Sequence, residues 1–315
     1  MLPLTGQPQP DLVILIGART GTFLGGRGGF ILPKENCKYI QVDTDGAELG
    51  KTRPVDVGII SDAKQVLCAI SQELNEKPFQ VSNDWVKLTT GLKAQPSPFE
   101  KEPEMMAEGH MHPYHAMKRL FSSLEPGAII CADGGESAFW ALDLAELATP
   151  HLVMYSCGYL GFLGNGWGYS LGAAIAAPSR QVINIQGDGS AGFHIAELDT
   201  YARFKLNILT VVVNNHIWAM SLHAQDILYA DKIHERPASK LSPGTAYELV
   251  GRGFENESVK LTQIDDIEKT VKDLSAHSGP GCINLVVSGS PTHPGLEALV
   301  SSGLTPGNPV VPYFG

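Results

Sequence analysis

Hydrophobic positions in this chain follow two periods, and each change of period marks a change of element. Apolar, β-branched runs of strand length occur at 11–17 (DLVILIG), 37–43 (CKYIQVD), 128–132, 151–155, 182–186, 208–213 and 282–287. Short runs of this kind, bounded by glycine or polar residues, predict strands buried on both faces. Between them the period lengthens to that of a helix. Helices are expected from Asp62 to about Glu76, where Val66, Leu67, Ile70 and Leu74 form one stripe, and over 114–124, 165–177, 195–205 and 264–276. In the last of these Ile264, Ile267, Val271 and Leu274 recur at spacings of 3, 4 and 3, which leaves one face to pack on a sheet. Alternation of strands and helices predicts an α/β fold, a parallel sheet with helices on both faces, plus a partial second α/β domain.

Punctuation sets the expected organisation. Residues 1–78 hold too few strands for a whole sheet. Residues 79–109 are rich in proline and charge, with one amphipathic piece around Trp85 and Leu88, and are expected to be a linker. Residues 110–300 form the main domain, and 301–315, rich in Gly, Pro and Ser, a flexible tail. The length, 315 residues, accommodates two domains, and the 43% hydrophobic content is ample for a core. A formal charge of −10 without a Lys/Arg cluster argues against a nucleic-acid surface, and no run of 18 apolar residues predicts a membrane span. Five dispersed cysteines without C-x-x-C spacing predict neither a disulfide framework nor a zinc site; Cys37, Cys131 and Cys282, in strand-like runs, are expected in the core. The first residues carry neither a secretory nor an Arg-rich transit pattern, so cytoplasm is the expected location, with mitochondria left open.

Candidate chemistry concentrates between Val182 and Asn215. A strand-like run ends in 187-GDGS-190, a helical segment follows, and a second apolar run ends in the pair Asn214 and Asn215. A glycine turn at the carboxyl end of a strand in an open α/β sheet is a ligand position. The amides of Gly189 and Ser190 suit phosphate oxygens, but Asp188 in the same turn would repel a phosphate unless a cation bridged them. A metal-bridged diphosphate follows, with Asp188 and an Asn amide oxygen as hard ligands for Mg²⁺. Gly187, Gly189 and Gly192 also spell G-x-G-x-x-G, the dinucleotide fingerprint. That alternative expects a carboxylate at the end of the second strand, where this chain has asparagines. A plain structural turn is the other alternative.

The GDGS turn, the spacing to NN, and the flanks 132-ADGGESAFW-140 and 158-GYLGFLGNGWGYSLGAAIAAP-178 resemble the thiamine-diphosphate motif of the acetolactate synthase and 2-hydroxyacyl-CoA lyase superfamily. The resemblance runs from Asp11 to near Pro291. It implies that Asp188, the Asn215 side chain and the Ile217 carbonyl ligate Mg²⁺, while Gly135, Glu136, Ser137, Gly187, Gly189 and Ser190 surround the diphosphate. Leu163 would hold the cofactor bent, the Gly161 carbonyl would accept from its amino group, and Ala219 and Met220 would border it. Two positions depart from the usual pattern: many relatives carry Gln at 136 and Gly at 219. The loop 25-GGRGG-29 suits a phosphate, and relatives hold FAD or a CoA-type nucleotide in the central domain; with half of that domain missing, FAD ranks well behind thiamine diphosphate. His110, His112 and His115 sit beside Pro113 without Cys or carboxylate companions and are expected to be surface histidines.

In this superfamily a glutamate of a separate pyrimidine-binding domain activates the cofactor, and its residues are not found in this sequence, so no catalytic residue is assigned. The implied function is decarboxylation of a 2-oxo acid and carboligation, by a homo-oligomer or by a hetero-oligomer in which a pyrimidine-binding chain completes the site. A 2-hydroxyacyl-CoA lyase, a 2-oxo acid decarboxylase, and a non-catalytic or truncated subunit are the alternatives.

Overall fold

The computed structural model of the chain describes residues 8–21, 24, 31–33, 35–157, 161–229, 235–277, 279–301, 304, 305, 308 and 309. They fall into two compact units, residues 1–97 with 298–315, and residues 98–297.

In the first unit β1 (Leu12–Ile16), β2 (Lys38–Asp43) and β3 (Val57–Ile60) form a parallel sheet in that order. Its small core gathers Leu15, Leu32 and Tyr39, with Val13 and Val55 against them. Tyr39 donates to the Pro33 carbonyl at 2.6 Å and lies under the Arg53 guanidinium. Helix α1 (Ala63–Glu76) begins where expected, because the Asp62 carboxylate accepts from the Lys64 amide at 2.9 Å. Its apolar stripe is not buried: Leu67 and Leu74 are about half exposed, since three strands offer too little sheet to cover a helix of 14 residues. Cys37 is half-buried rather than core. The loop 25–29 lies outside the described residues.

The stretch expected as a linker is not uniform. Helix α2 (Asn83–Lys93) holds Trp85 and Leu88, and residues 98–109 belong to the second unit. Phe99 meets Trp140 edge-on at 5.0 Å. Glu100 accepts from the Tyr114 hydroxyl at 2.6 Å and from Lys118 at 2.7 Å. The ring contact of Phe99 and the Glu100 ties to Tyr114 and Lys118 decide where this segment lies.

The second unit runs α3 (Pro113–Ser122), β4 (Ile129–Asp133), α4 (Glu136–Leu144), β5 (Leu152–Tyr155), α5 (Asn165–Ala176), β6 (Val182–Gly187), α6 (Asp188–His194), α7 (Glu197–Arg203), β7 (Ile208–Asn214), α8 (Ala219–Tyr229), α9 (Tyr247–Gly253), β8 (Glu257–Leu261), α10 (Ile267–Ser275) and β9 (Gly281–Val286). Its six strands are all parallel, in the order β5-β4-β6-β7-β9-β8. Side chains alternate between two cores. Ile130, Ile183, Ile185, Leu209 and Val211 face one that includes Met117, Phe121 and Val271; Ile129, Val182, Ile208 and Val212 face the other, with Trp167, Leu198 and Tyr201. Burial on both faces explains why these strands read as continuous apolar runs. The helix expected over 195–205 is α7, and a further short helix, α6, starts directly at Asp188 ahead of it.

The three histidines are not all surface residues. His112 and His115 are buried: the His112 ring accepts from the Tyr114 amide at 3.1 Å and caps α3, and His115 Nε2 lies 2.9 Å from the Glu102 carbonyl. Burial, with the charge of His115, pushes the His112 pKa down to about 4. Among the described residues no group of His, Cys, Asp and Glu is placed to hold a metal by itself, and no helix is long and apolar enough to cross a membrane.

Chain order places β5 on one side of β4 and β6 on the other. The connections therefore diverge between β4 and β6, and the crevice at their carboxyl ends is where an open parallel sheet binds ligands. Both glycine-bearing loops picked out in the sequence leave the sheet there.

Limited proteolysis checks the unit boundary. Cleavage is expected within residues 77–97, leaving a resistant fragment that begins near Pro98. A stable fragment starting near His110 would show that 98–109 contributes nothing to the second core.

Candidate functional site

Three segments meet over the crevice, and their glycines measure how closely. Gly134 (φ +112°) and Gly135 follow β4. A Cβ on Gly135 would fall 2.8 Å from Met220 Cβ, one on Gly187 would fall 2.7 Å from Ser137 Oγ, and one on Gly189 would fall 2.5 Å from the Trp218 ring. Gly135, Ser137, Gly187, Gly189 and Met220 are thus brought together, and Ala219, at the start of α8, is buried beside them. Ser190 Oγ donates to the Gly187 carbonyl at 3.0 Å, which steadies the turn.

Asp188 joins the two strand ends. Its Oδ2 accepts from the amides of Asn215 at 3.2 Å and His216 at 2.7 Å, and its Oδ1 from its neighbour Gly189 at 2.8 Å. The residue is 4% exposed, and burial pushes its pKa up to about 7 against the pull of those amides. Dipoles alone therefore compensate the charge only in part, and a cation would complete the compensation. Asn215 Oδ1 accepts from the Ile217 amide at 3.2 Å. Ile217 bridges Lys240 in antiparallel fashion, through Trp218 N to Ser239 O and Leu241 N to His216 O, both 2.8 Å. The Ile217 amide thus lies against the Asn215 side chain. The Asp188 carboxylate and the Asn215 amide oxygen, at neighbouring strand ends, are hard oxygen donors of the kind Mg²⁺ takes alongside phosphate oxygens. The residues present fit that ion, and glycines close behind the turn fit a diphosphate.

Glu136 turns away from the crevice. Its carboxylate engages His223 Nδ1 at 2.6 Å and the His293 amide, so only its backbone faces the turn. Gly161 (φ +68°) and half-buried Leu163 lie on the loop ahead of α5; residues 158–160 of that loop are outside the described residues.

Several supporting residues escaped the sequence reading. Asp133, at the end of β4, is fully buried and accepts from the Gly164 amide at 3.2 Å and the Gly166 amide at 2.5 Å, tying the Leu163 loop to the Gly134 loop. The Tyr247 hydroxyl donates to the Asp188 carbonyl at 3.0 Å. Asn214 Nδ2 donates to Asn284 Oδ1 at 3.0 Å, and Asn284 in turn to Glu248 at 2.6 Å. Asp133, an acid before a Gly-Gly pair at a strand end, and Asn214, first of the asparagine pair, left local signals; Tyr247, Glu248 and Asn284 left none. Cys131 and Cys157 are buried nearby with pKa values pushed up to about 11 by burial, so neither is a ready thiolate.

Residues 133–285 match the family description "Thiamine pyrophosphate enzyme, C-terminal TPP binding domain", and residues 7–70 match "Thiamine pyrophosphate enzyme, central domain". The chain is 26% identical over 286 residues to a probable acetolactate synthase of Mycobacterium bovis, covering 91% of this chain and 50% of the relative. It is 30% identical over 287 residues to an acetolactate synthase large subunit of Corynebacterium glutamicum, covering 89% and 44%. A 2-hydroxyacyl-CoA lyase of Oryza sativa subsp. japonica is 23% identical over 290 residues, covering 89% and 49%. The chain spans about half the length of these relatives.

The raised pKa of Asp188 has a sign that can be checked. In the folded, metal-free chain the proton leaves only near pH 7, whereas a bound cation holds the carboxylate ionised. Binding of Mg²⁺ with thiamine diphosphate should therefore release a proton below pH 7, and affinity should fall as pH drops from 7 toward 5. Calorimetry in buffers of different ionisation enthalpy reads both; pH-independent binding without proton release would contradict the placement of the cation at Asp188.

Proposed function

We propose, from the premise that the chain belongs to the thiamine pyrophosphate enzyme family, that this half-length chain binds Mg²⁺ and thiamine diphosphate at the β4/β6 crevice and serves an acetolactate synthase-like reaction on 2-oxo acids. The observation that carries the reading is the Asp188 carboxylate, buried at the end of β6 and bonded to the backbone of the Asn215 turn at the end of β7. Asp188, Asn215 and the Ile217 carbonyl would hold the cation, and Gly135, Ser137, Gly187, Gly189 and Ser190 would surround the diphosphate.

When bound, thiamine diphosphate would supply an electron sink for negative charge developing at the former carbonyl carbon of a 2-oxo acid. The chain's own residues contribute positioning. Asp133 anchors the loop carrying Leu163 against the end of β4, and Met220 closes on Gly135 from the start of α8. Trp218 covers Gly189 and keeps water from the turn on that side. No general base or acid is assigned in this chain; a positioned one contributes about 10²- to 10⁴-fold to such reactions. We therefore assign the activating glutamate to a pyrimidine-binding domain outside this sequence, on a partner or on a further segment.

Asp188→Ala should abolish Mg²⁺-dependent binding of thiamine diphosphate in calorimetry, a loss well beyond the ~10- to 100-fold typical of an outer-sphere partner. Unchanged affinity would remove the site assignment. The chain alone should show little turnover of 2-oxo acids, and addition of a pyrimidine-binding domain should raise it by at least ~10²-fold. Ordinary enzyme rates from the chain alone would place the activating carboxylate within it. Product analysis with pyruvate and candidate aldehydes separates carboligation from lyase and decarboxylase activity.

A further inference from the structure

One buried charge pair lies beside the crevice without taking part in it. Glu136 is the first residue of α4, and His223 lies one turn along α8; their side chains are 2% and 7% exposed. His223 Nδ1 is 2.6 Å from Glu136 Oε2, and His223 Nε2 is 2.9 Å from the Gly289 carbonyl. Both ring nitrogens thus face acceptors. A neutral imidazole carries one N–H and would set a lone pair against an oxygen, so imidazolium is the form this geometry accommodates. The other Glu136 oxygen accepts from the His293 amide. One pair therefore ties together the start of α4, the first turn of α8 and the loop after β9.

Each tie sits next to a point where the crevice closes. Gly135 and Ser137 flank Glu136, and they abut Met220 and Gly187 respectively. Met220 and His223 are three residues apart on α8 and share a face. Moving His223 would move Met220 against Gly135. We propose that the Glu136 and His223 pair is a positioning latch that holds the 134–137 loop and the start of α8 in the spacing required for thiamine diphosphate and Mg²⁺. The latch rests on the cofactor reading given above for its purpose, though not for its existence.

The surrounding charges favour the protonated ring. Asp226, one turn further along α8, adds its field and is itself held by Arg236 at 3.1 Å. On the α4 side Asp143 is 3.0 Å from His293 Nε2, so that carboxylate is engaged by the loop after β9. Burial opposes protonation of His223, but the hydrogen bond and charge of Glu136, with the Gly289 carbonyl and Asp226, override it and hold the pKa above the ordinary 6.5. With the folded value raised, the stabilisation is complete below pH 6.5 and is lost as pH rises through the folded value.

The test uses the full chain, with Mg²⁺ and thiamine diphosphate as the probe. Glu136→Gln and His223→Gln should each lower affinity ~10- to 100-fold, the range for a partner that orients binding groups without touching the ligand, and the double variant should be no worse than either single one. Without ligand, the wild-type melting temperature should fall as pH rises above 6.5, and this fall should shrink in both variants. If the variants do not fold, proton NMR of the wild-type histidines decides: one buried imidazole titrating above 6.5 supports the latch, and its absence overturns it. Wild-type binding with unchanged affinity in both folded variants overturns the positioning role and leaves the cofactor reading standing. A wild-type chain that binds no thiamine diphosphate overturns the cofactor reading and the positioning role together, while the pH slope still reports the pair.

Discussion

A carboxylate without a full counter-charge governs the second unit. Asp188 stands at the junction of β6 and α6, where the chain leaves the sheet, and its oxygens hold the backbone of the next strand end two connections away. An ionised carboxylate in that position is costly unless amides and a cation satisfy it. Glycines at 187 and 189, the Tyr247 hydroxyl on the Asp188 carbonyl, and the Asn214, Asn284 and Glu248 chain behind the asparagine turn all keep that group in place. An apolar residue at 188 would leave the amides of Asn215 and His216 without their acceptor, and a cation would offset the remaining cost of the acid.

Parallel topology makes this economical. With β4 between β5 and β6, two loops exit the sheet side by side without having to reach for each other. Gly134 and Gly135 on one and the GDGS turn on the other need only small residues to touch, and the close approaches at Gly187 and Gly189 show that they use the full allowance. Larger side chains close on these glycines from the start of α8, where Met220 abuts Gly135, and from the residue before it, Trp218, against Gly189.

The first unit is built to a different standard. Among the described residues its buried apolar side chains are Leu15, Leu32, Tyr39 and Val42, with a few half-buried neighbours, and the stripe of α1 faces outward in part. A three-stranded sheet cannot bury both of its faces and a covering helix, whereas the six-stranded sheet does. The family matches assign this segment to the central domain of thiamine pyrophosphate enzymes, with the chain about half as long as its relatives.

Local sequence determined the elements and the chemistry that depends on adjacent residues. The strand runs, the Asp62 cap, and the acid inside a glycine turn are legible because hydrophobic period, capping and turn preference act over a few residues. The periodicity also implied a parallel sheet. What it could not show was anything decided by contacts across the fold. The linker's last 12 residues became part of a domain through Phe99 and Glu100. His115, in a polar stretch, became buried against the Glu102 carbonyl 13 residues back, while His112 was buried as the cap of its own helix. Glu136, set beside a phosphate turn in sequence, was drawn away from it by His223, 87 residues on. Side-chain direction and charge pairing between distant residues are set by where the sheet order brings helix ends together, and no window of sequence contains that information.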